Sequence, residues 1–149
     1  MTKEETMTLS VAEFIKVFDA SLDFKVWYKM VQEEFAELLA EEPKTAEHLK
    51  ELTDLAYVLT GYFMTCAITP LELISEKMLA KHTEMGDNLP PIFDKHVEYY
   101  SKEVLEEAFR RVHASNMSKL GEDGEPIRRE DGKVLKGPNY KPPDLSDLV

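Results

Sequence analysis

Two acidic pairs at helical spacing constrain this chain more than any other feature. The first lies in Val31-Gln32-Glu33-Glu34-Phe35-Ala36-Glu37-Leu38-Leu39, the second in Glu51-Leu52-Thr53-Asp54. Residues three apart in a helix stand about 60° from each other around the axis and one turn apart along it. Glu34 therefore sits beside Glu37, and Glu51 beside Asp54. Thirteen residues separate Glu37 from Glu51, Pro43 and Thr45 among them. That length ends one helix, turns, and starts an antiparallel partner. Each helix then presents a carboxylate pair at a similar height.

Four carboxylates facing one another repel unless a cation lies between them. Hard oxygen ligands suit magnesium or manganese better than zinc or copper. The same spacing also serves an exposed, solvated helix face, so the register matters. In the first of these helices the apolar stripe is Phe24, Trp27, Val31, Phe35, Leu38 and Leu39, with Tyr28 alongside. Glu34 falls near its edge, Glu37 further round, and Glu33 points away. In the second the stripe is Leu49, Leu52, Leu55, Ala56, Leu59 and Phe63. Glu51 borders it and Asp54 lies further back.

The rest of the chain predicts an all-α fold. Ser10-Val11-Ala12-Glu13 reads as a capping box opening a helix to about residue 20. Helices follow over about 24–42 and 45–67. From Leu55 to Cys66 the third helix carries no charge on any face, which predicts burial on several sides and suggests a subunit interface. Thr69-Pro70-Leu71-Glu72 reads as a second capping box, for a helix to about Lys81. Gly86, Asn88, Pro90 and Pro91 make 84–91 a loop by composition. A last helix runs from Phe93 or Ser101 to Lys119. Gly121-Glu122-Asp123-Gly124 is a turn. Glu130-Asp131-Gly132, between Ile127-Arg128 and Val134-Leu135, signals a hairpin. Gly137 to Pro143 reads as an extended arm. Residues 1–120 thus form a helical domain, and 121–149 a hairpin and arm belonging to it.

Composition narrows the partners. With 149 residues, 43% of them hydrophobic, one domain can bury a core. The single Cys66 permits no intramolecular disulfide. The start is polar and acidic, without the pattern of a signal peptide, and no apolar run is long enough for a membrane span. A cytoplasmic setting, in a bacterium or a phage-infected host, is the expectation. The net charge of −11 argues against nucleic-acid binding. Residues 1–109 hold 10 basic and 22 acidic side chains, whereas 110–141 hold 8 basic and 5 acidic. An acidic body with a basic arm suits a metal-loaded site that grips an anion. The arm docking on its own acidic body is the plainer reading.

These residues resemble a known family. EExxE followed by ExxD on two helices, here Glu33-Glu34-Phe35-Ala36-Glu37 and Glu51-Leu52-Thr53-Asp54, is similar to the signature of MazG-like all-α nucleoside triphosphate pyrophosphohydrolases. Val112 to Leu120, Arg129 to Tyr140 and Pro142-Pro143-Asp144-Leu145 resemble the short stand-alone branch of bacteria and phages. Phe18-Asp19-Ala20 departs from the FHxxFG-like pattern of many small members, and about 79–102 reads as an insertion.

The resemblance implies a helical bundle completed by oligomerisation, as a homodimer or a homotetramer built as a dimer of dimers. It implies hydrolysis of a nucleoside triphosphate to monophosphate and pyrophosphate with two or three Mg2+, for which Mn2+ substitutes. Residue for residue, Glu34, Glu37, Glu51 and Asp54 would be the metal ligands, and Asn116 and Lys119 would face the phosphates. Glu33 and Glu37 are candidates for catalytic work, Glu33 as a base or as support behind the ligands. Lys119, with Lys136 or Lys141 from the arm, would supply fixed positive charge for the leaving pyrophosphate. Tyr140 is a candidate contact to the base or ribose, and Trp27 a candidate stacking wall that core packing explains better. The branch's role in trimming nucleotide pools points to a purine such as dGTP or dATP. A ferritin-like di-iron site would need Glu-x-x-His pairs, and His48, His82, His96 and His113 supply none. The remaining rival is a non-enzymatic acidic helical binding module.

Overall fold

The computed structural model describes residues 2–121 and 123–149. Among the described residues the fold is all-α, with five α-helices: α1 (Lys3–Phe18), α2 (Phe24–Leu39), α3 (Ala46–Ala67), α4 (Glu76–Val97) and α5 (Lys102–Met117). A small antiparallel hairpin, β1 (Ile127–Arg128) with β2 (Val134–Leu135), follows them.

α3 is the hub. It packs against α1, α2, α4 and α5, and its seam with α2 is the most extensive. Asp23 caps α2 by accepting from the Lys25 amide, and Thr45 caps α3 by accepting from the His48 amide. Both lie where local sequence places a helix start. Leu49, Leu52, Leu55 and Leu59 are buried as their spacing predicts, while Leu39 and Phe63, expected on the same stripes, are exposed. The seam is tight at Gly61, where a Cβ would come within 2.3 Å of the Trp27 ring. The Trp27 indole is buried and donates to the Ser21 carbonyl at 2.8 Å.

Three expectations are corrected. α1 begins at Lys3, not Ser10. Thr2 and Glu5 form the capping box, the Thr2 hydroxyl accepting from the Glu5 amide and the Glu5 carboxylate from the Thr2 amide. Two S/T-x-x-E patterns lie in the first 13 residues, and the outer one caps the helix. Thr69 to Glu72 does not cap a helix. A single 3-10 turn, Leu71–Leu73, lies there with no side-chain cap, and Ser75 caps α4 instead.

The expected loop at 84–91 is helical, with Pro90 and Pro91 inside α4. Met78, His82, Met85, Leu89, Phe93 and His96 recur at spacings of three and four along the inner face, an amphipathic period that favours helix. Each proline removes one intrahelical donor. The carbonyls left without it belong to Gly86 and Asp87, both exposed and so open to solvent.

His48 fastens the start of α3 to the corner between α4 and α5. Its Nδ1 lies 2.7 Å from the Tyr100 hydroxyl and its Nε2 2.8 Å from His96 Nδ1. The C-terminal arm docks on α5. Ser115 Oγ donates to the Lys141 carbonyl, the Lys141 amide donates to Ser118 Oγ, and Arg111 holds Asp147 and the Asp144 carbonyl. Glu122 of the expected turn lies outside the described residues, and Gly124 takes the left-handed conformation there with φ 77°. Among the described residues, no helix is long and apolar enough to cross a membrane.

Candidate metal centre

The antiparallel α2–α3 pair brings the two acidic motifs together. One carboxylate oxygen from each of Glu34, Glu37 and Glu51 meets within 4.8 Å of the others. Glu37 is exposed at the rim, whereas Glu34 and Glu51 keep only 12% and 13% of their side-chain surface. Glu34 Oε2 and Glu51 Oε2 are buried with no hydrogen-bond partner. Leaving a buried carboxylate oxygen unsatisfied costs about 1–3 kcal/mol or more. These hard oxygens therefore fit a divalent cation such as Mg2+ or Mn2+.

The electrostatics follow from that crowding. Burial, the Asp54 charge and the adjacent Glu37 push the Glu34 carboxyl up to about 9. Burial also raises Glu51, with Asp54 adding to it and Lys50 opposing. Asp54 lies outside the group of three. Its Oδ2 accepts from Lys50 Nζ at 2.8 Å, and the same ammonium reaches Glu51 Oε1 at 3.2 Å.

A cavity of about 70 Å³ adjoins the acids, with room for several waters. Its lining mixes apolar side chains, Phe14, Val26, Trp27, Met30 and Val58, with polar ones, Glu34, Asp54, Asn116, Lys119 and Lys133. Asn116 is buried near the end of α5. Burial lowers the Lys119 ammonium below its ordinary value, although Asp54 and Glu34 favour its charge. Tyr57 also lines the cavity, its hydroxyl 2.9 Å from His113 Nδ1.

The hairpin closes one side of the cavity through Gly132, Lys133 and Val134. It is fastened to α2 at Glu33, which accepts from Arg129 Nη2 at 3.1 Å and Lys133 Nζ at 3.3 Å. Lys29 pairs with Asp131 at 3.0 Å. Glu33 thus faces the hairpin's cations rather than the acidic group. Burial raises its carboxyl, but Lys133 and Arg129 outweigh that and hold it below the usual range. A carboxylate so engaged is a weak base.

Lys136 and Tyr140 do not line the cavity. They meet each other, the Lys136 ammonium 5.0 Å from the Tyr140 ring centroid. Lys133 instead approaches the acids, 4.0 Å from Glu34. Sequence reasoning passed over Lys50, Lys133, Phe14, Met30 and Tyr57. The i,i+4 spacing of Lys50 and Asp54 was a readable signal. The approach of Lys133 depends on how a distant hairpin docks, which no local pattern encodes. No known protein family, curated protein or solved structure matches this chain.

Proposed function

We propose that the chain is a Mg2+-dependent nucleoside triphosphate pyrophosphohydrolase of MazG-like type, acting on a purine (deoxy)nucleoside triphosphate such as dGTP or dATP. The observation that carries this reading is the meeting of Glu34, Glu37 and Glu51 within 4.8 Å, two of them with partnerless buried oxygens, beside a cavity that also holds Lys119 and Lys133. The sequence resemblance supplies the reaction type.

Glu34, Glu37 and Glu51 would hold the metal, with Asp54 joining them once freed from Lys50. Bound there, Mg2+ would neutralise phosphate charge and acidify a water. The chain's own side chains do the rest. Lys119 and Lys133 line the cavity and would place positive charge against a departing pyrophosphate. Asn116 offers an amide donor from a buried position. Trp27, Phe14 and Met30 give the cavity its apolar lining, against which a base would pack. Glu33 holds the hairpin, and Glu37, at the open rim, is the better placed of the two catalytic candidates. A homodimer or a homotetramer belongs to the same reading.

The test is incubation with the eight common ribo- and deoxyribonucleoside triphosphates and Mg2+, reading pyrophosphate release. At least one should be cleaved. Glu37→Gln and Asp54→Asn should each lower kcat by roughly 10²–10³, as when a charge-stabilising group is removed. Silence across all eight with folded protein favours the acidic binding module. Activity that survives both substitutions refutes the site.

A further inference from the structure

Lys50 is a cation already seated against the α3 carboxylates. Its Nζ lies 2.8 Å from Asp54 Oδ2 and 3.2 Å from Glu51 Oε1. Glu51 Oε2, the other oxygen of that carboxylate, is buried without a partner. One carboxylate thus serves both Lys50 and the acidic group. The pair is not an ordinary surface bridge. About two-thirds of the Lys50 side chain is covered, with 32% exposed, and Asp54 keeps 19%. Nor does its direction suit helix stabilisation, because a basic residue four positions before an acidic one is the weaker order.

A divalent ion held by Glu34, Glu37 and Glu51 would share the Glu51 carboxylate with this ammonium. Two cations on one carboxylate repel strongly in a partly buried setting. Lysine can yield, because its ammonium rides on a flexible four-carbon stem.

We propose that Lys50 is a positioning residue, a tethered counter-cation that holds Glu51 and Asp54 when no divalent ion is bound and competes with that ion for them. This inference rests on the metal reading of the site. It makes Lys50 the residue that sets the metal concentration at which the site fills. Asp54 becomes available as a ligand only as Lys50 swings away.

The experiment is Mn2+ titration of the full chain, with free Mn2+ followed by electron paramagnetic resonance, and thermal melts with and without Mn2+. Lys50→Gln should bind Mn2+ about tenfold more tightly than wild type, since a repelling charge is gone. It should melt lower without Mn2+ and recover with it. Lys50→Arg keeps the charge and should bind like wild type. Lys50→Met keeps the apolar stem and replaces Lys50→Gln if that variant fails to fold. A residue with only a structural role would lower stability and leave Mn2+ affinity unchanged or weaker, and that result overturns the role of Lys50 alone. No saturable binding by wild type or by the neutral variants removes the metal reading, and this inference with it.

Discussion

A carboxyl group buried beside other carboxylates keeps its proton to higher pH, and Glu34 is in that position. Its value is raised to about 9, first by burial and then by Asp54 and Glu37. Between its ordinary value near 4.5 and that raised value, the folded chain binds a proton that the unfolded chain has lost. Stability from this group is therefore fully present below pH 4.5 and falls as pH rises through the window. Lys119, lowered by burial, acts in the opposite sense at the alkaline end, below its ordinary 10.5. Thermal melts in a chelator should fall between pH 5.5 and 8.5, and Glu34→Gln should flatten that slope. Saturating Mg2+ should flatten it too, because a cation takes the proton's place. A wild-type slope that Glu34→Gln leaves intact would show that the proton resides elsewhere. At this scale the sequence was legible where partners are close in the chain. Glu34 with Glu37, and Glu51 with Asp54, follow from helical spacing, and the short turn brings Glu51 across. The engagement of Glu33 by Arg129 and Lys133 spans about a hundred positions, and spacing on one helix carries no trace of it.

Among the elements, the α2–α3 hairpin has to hold its register for the carboxylates to meet. Gly61 sets how closely the two helices approach, since a Cβ there would lie 2.3 Å from Trp27 Cε3 and Cζ3. The ring cannot retreat freely, because its Nε1 is fixed to the Ser21 carbonyl at 2.8 Å. Alanine is otherwise the better helix former by about 0.8–1.0 kcal/mol. Overpacking of this kind costs typically about 1–3 kcal/mol, so Gly61→Ala should destabilise despite its higher propensity. Urea denaturation should show a lower midpoint with little change in m. A more stable variant would mean the seam has slack. Helix existence was legible wherever caps and apolar period agreed, as in α2, α3 and α5. It failed at α4, where Gly86, Pro90 and Pro91 outweighed the period running from Met78 to His96. Solvation of the outer face lets a helix carry prolines that a buried one could not, and exposure is a tertiary property.

For the whole molecule, the decisive surface is the one α3 leaves uncovered. The charge-free run from Leu55 to Cys66 predicted burial on several sides, and the chain itself supplies only part of that cover. Leu55, Tyr57, Val58, Leu59 and Tyr62 are buried, yet Phe63 is 60% exposed. Ile68, Leu71 and Leu73, just beyond the helix end, are 61%, 77% and 73% exposed. Fully burying a side chain of this size is worth about 1.5–3 kcal/mol, so covering several of them offers a strong drive to associate. The proposed homodimer or homotetramer would bury this surface and leave the acidic group within each protomer. Sedimentation at micromolar concentration should show an oligomer. Phe63→Glu would place a charge on this surface and should weaken that assembly by about 30-fold or more, the scale of a residue that matters to an interface. Because Phe63 is exposed on the protomer, the variant should stay helical, so circular dichroism separates dissociation from unfolding. A wild-type chain that sediments as a monomer at tens of micromolar would show that these side chains do not form the proposed contact.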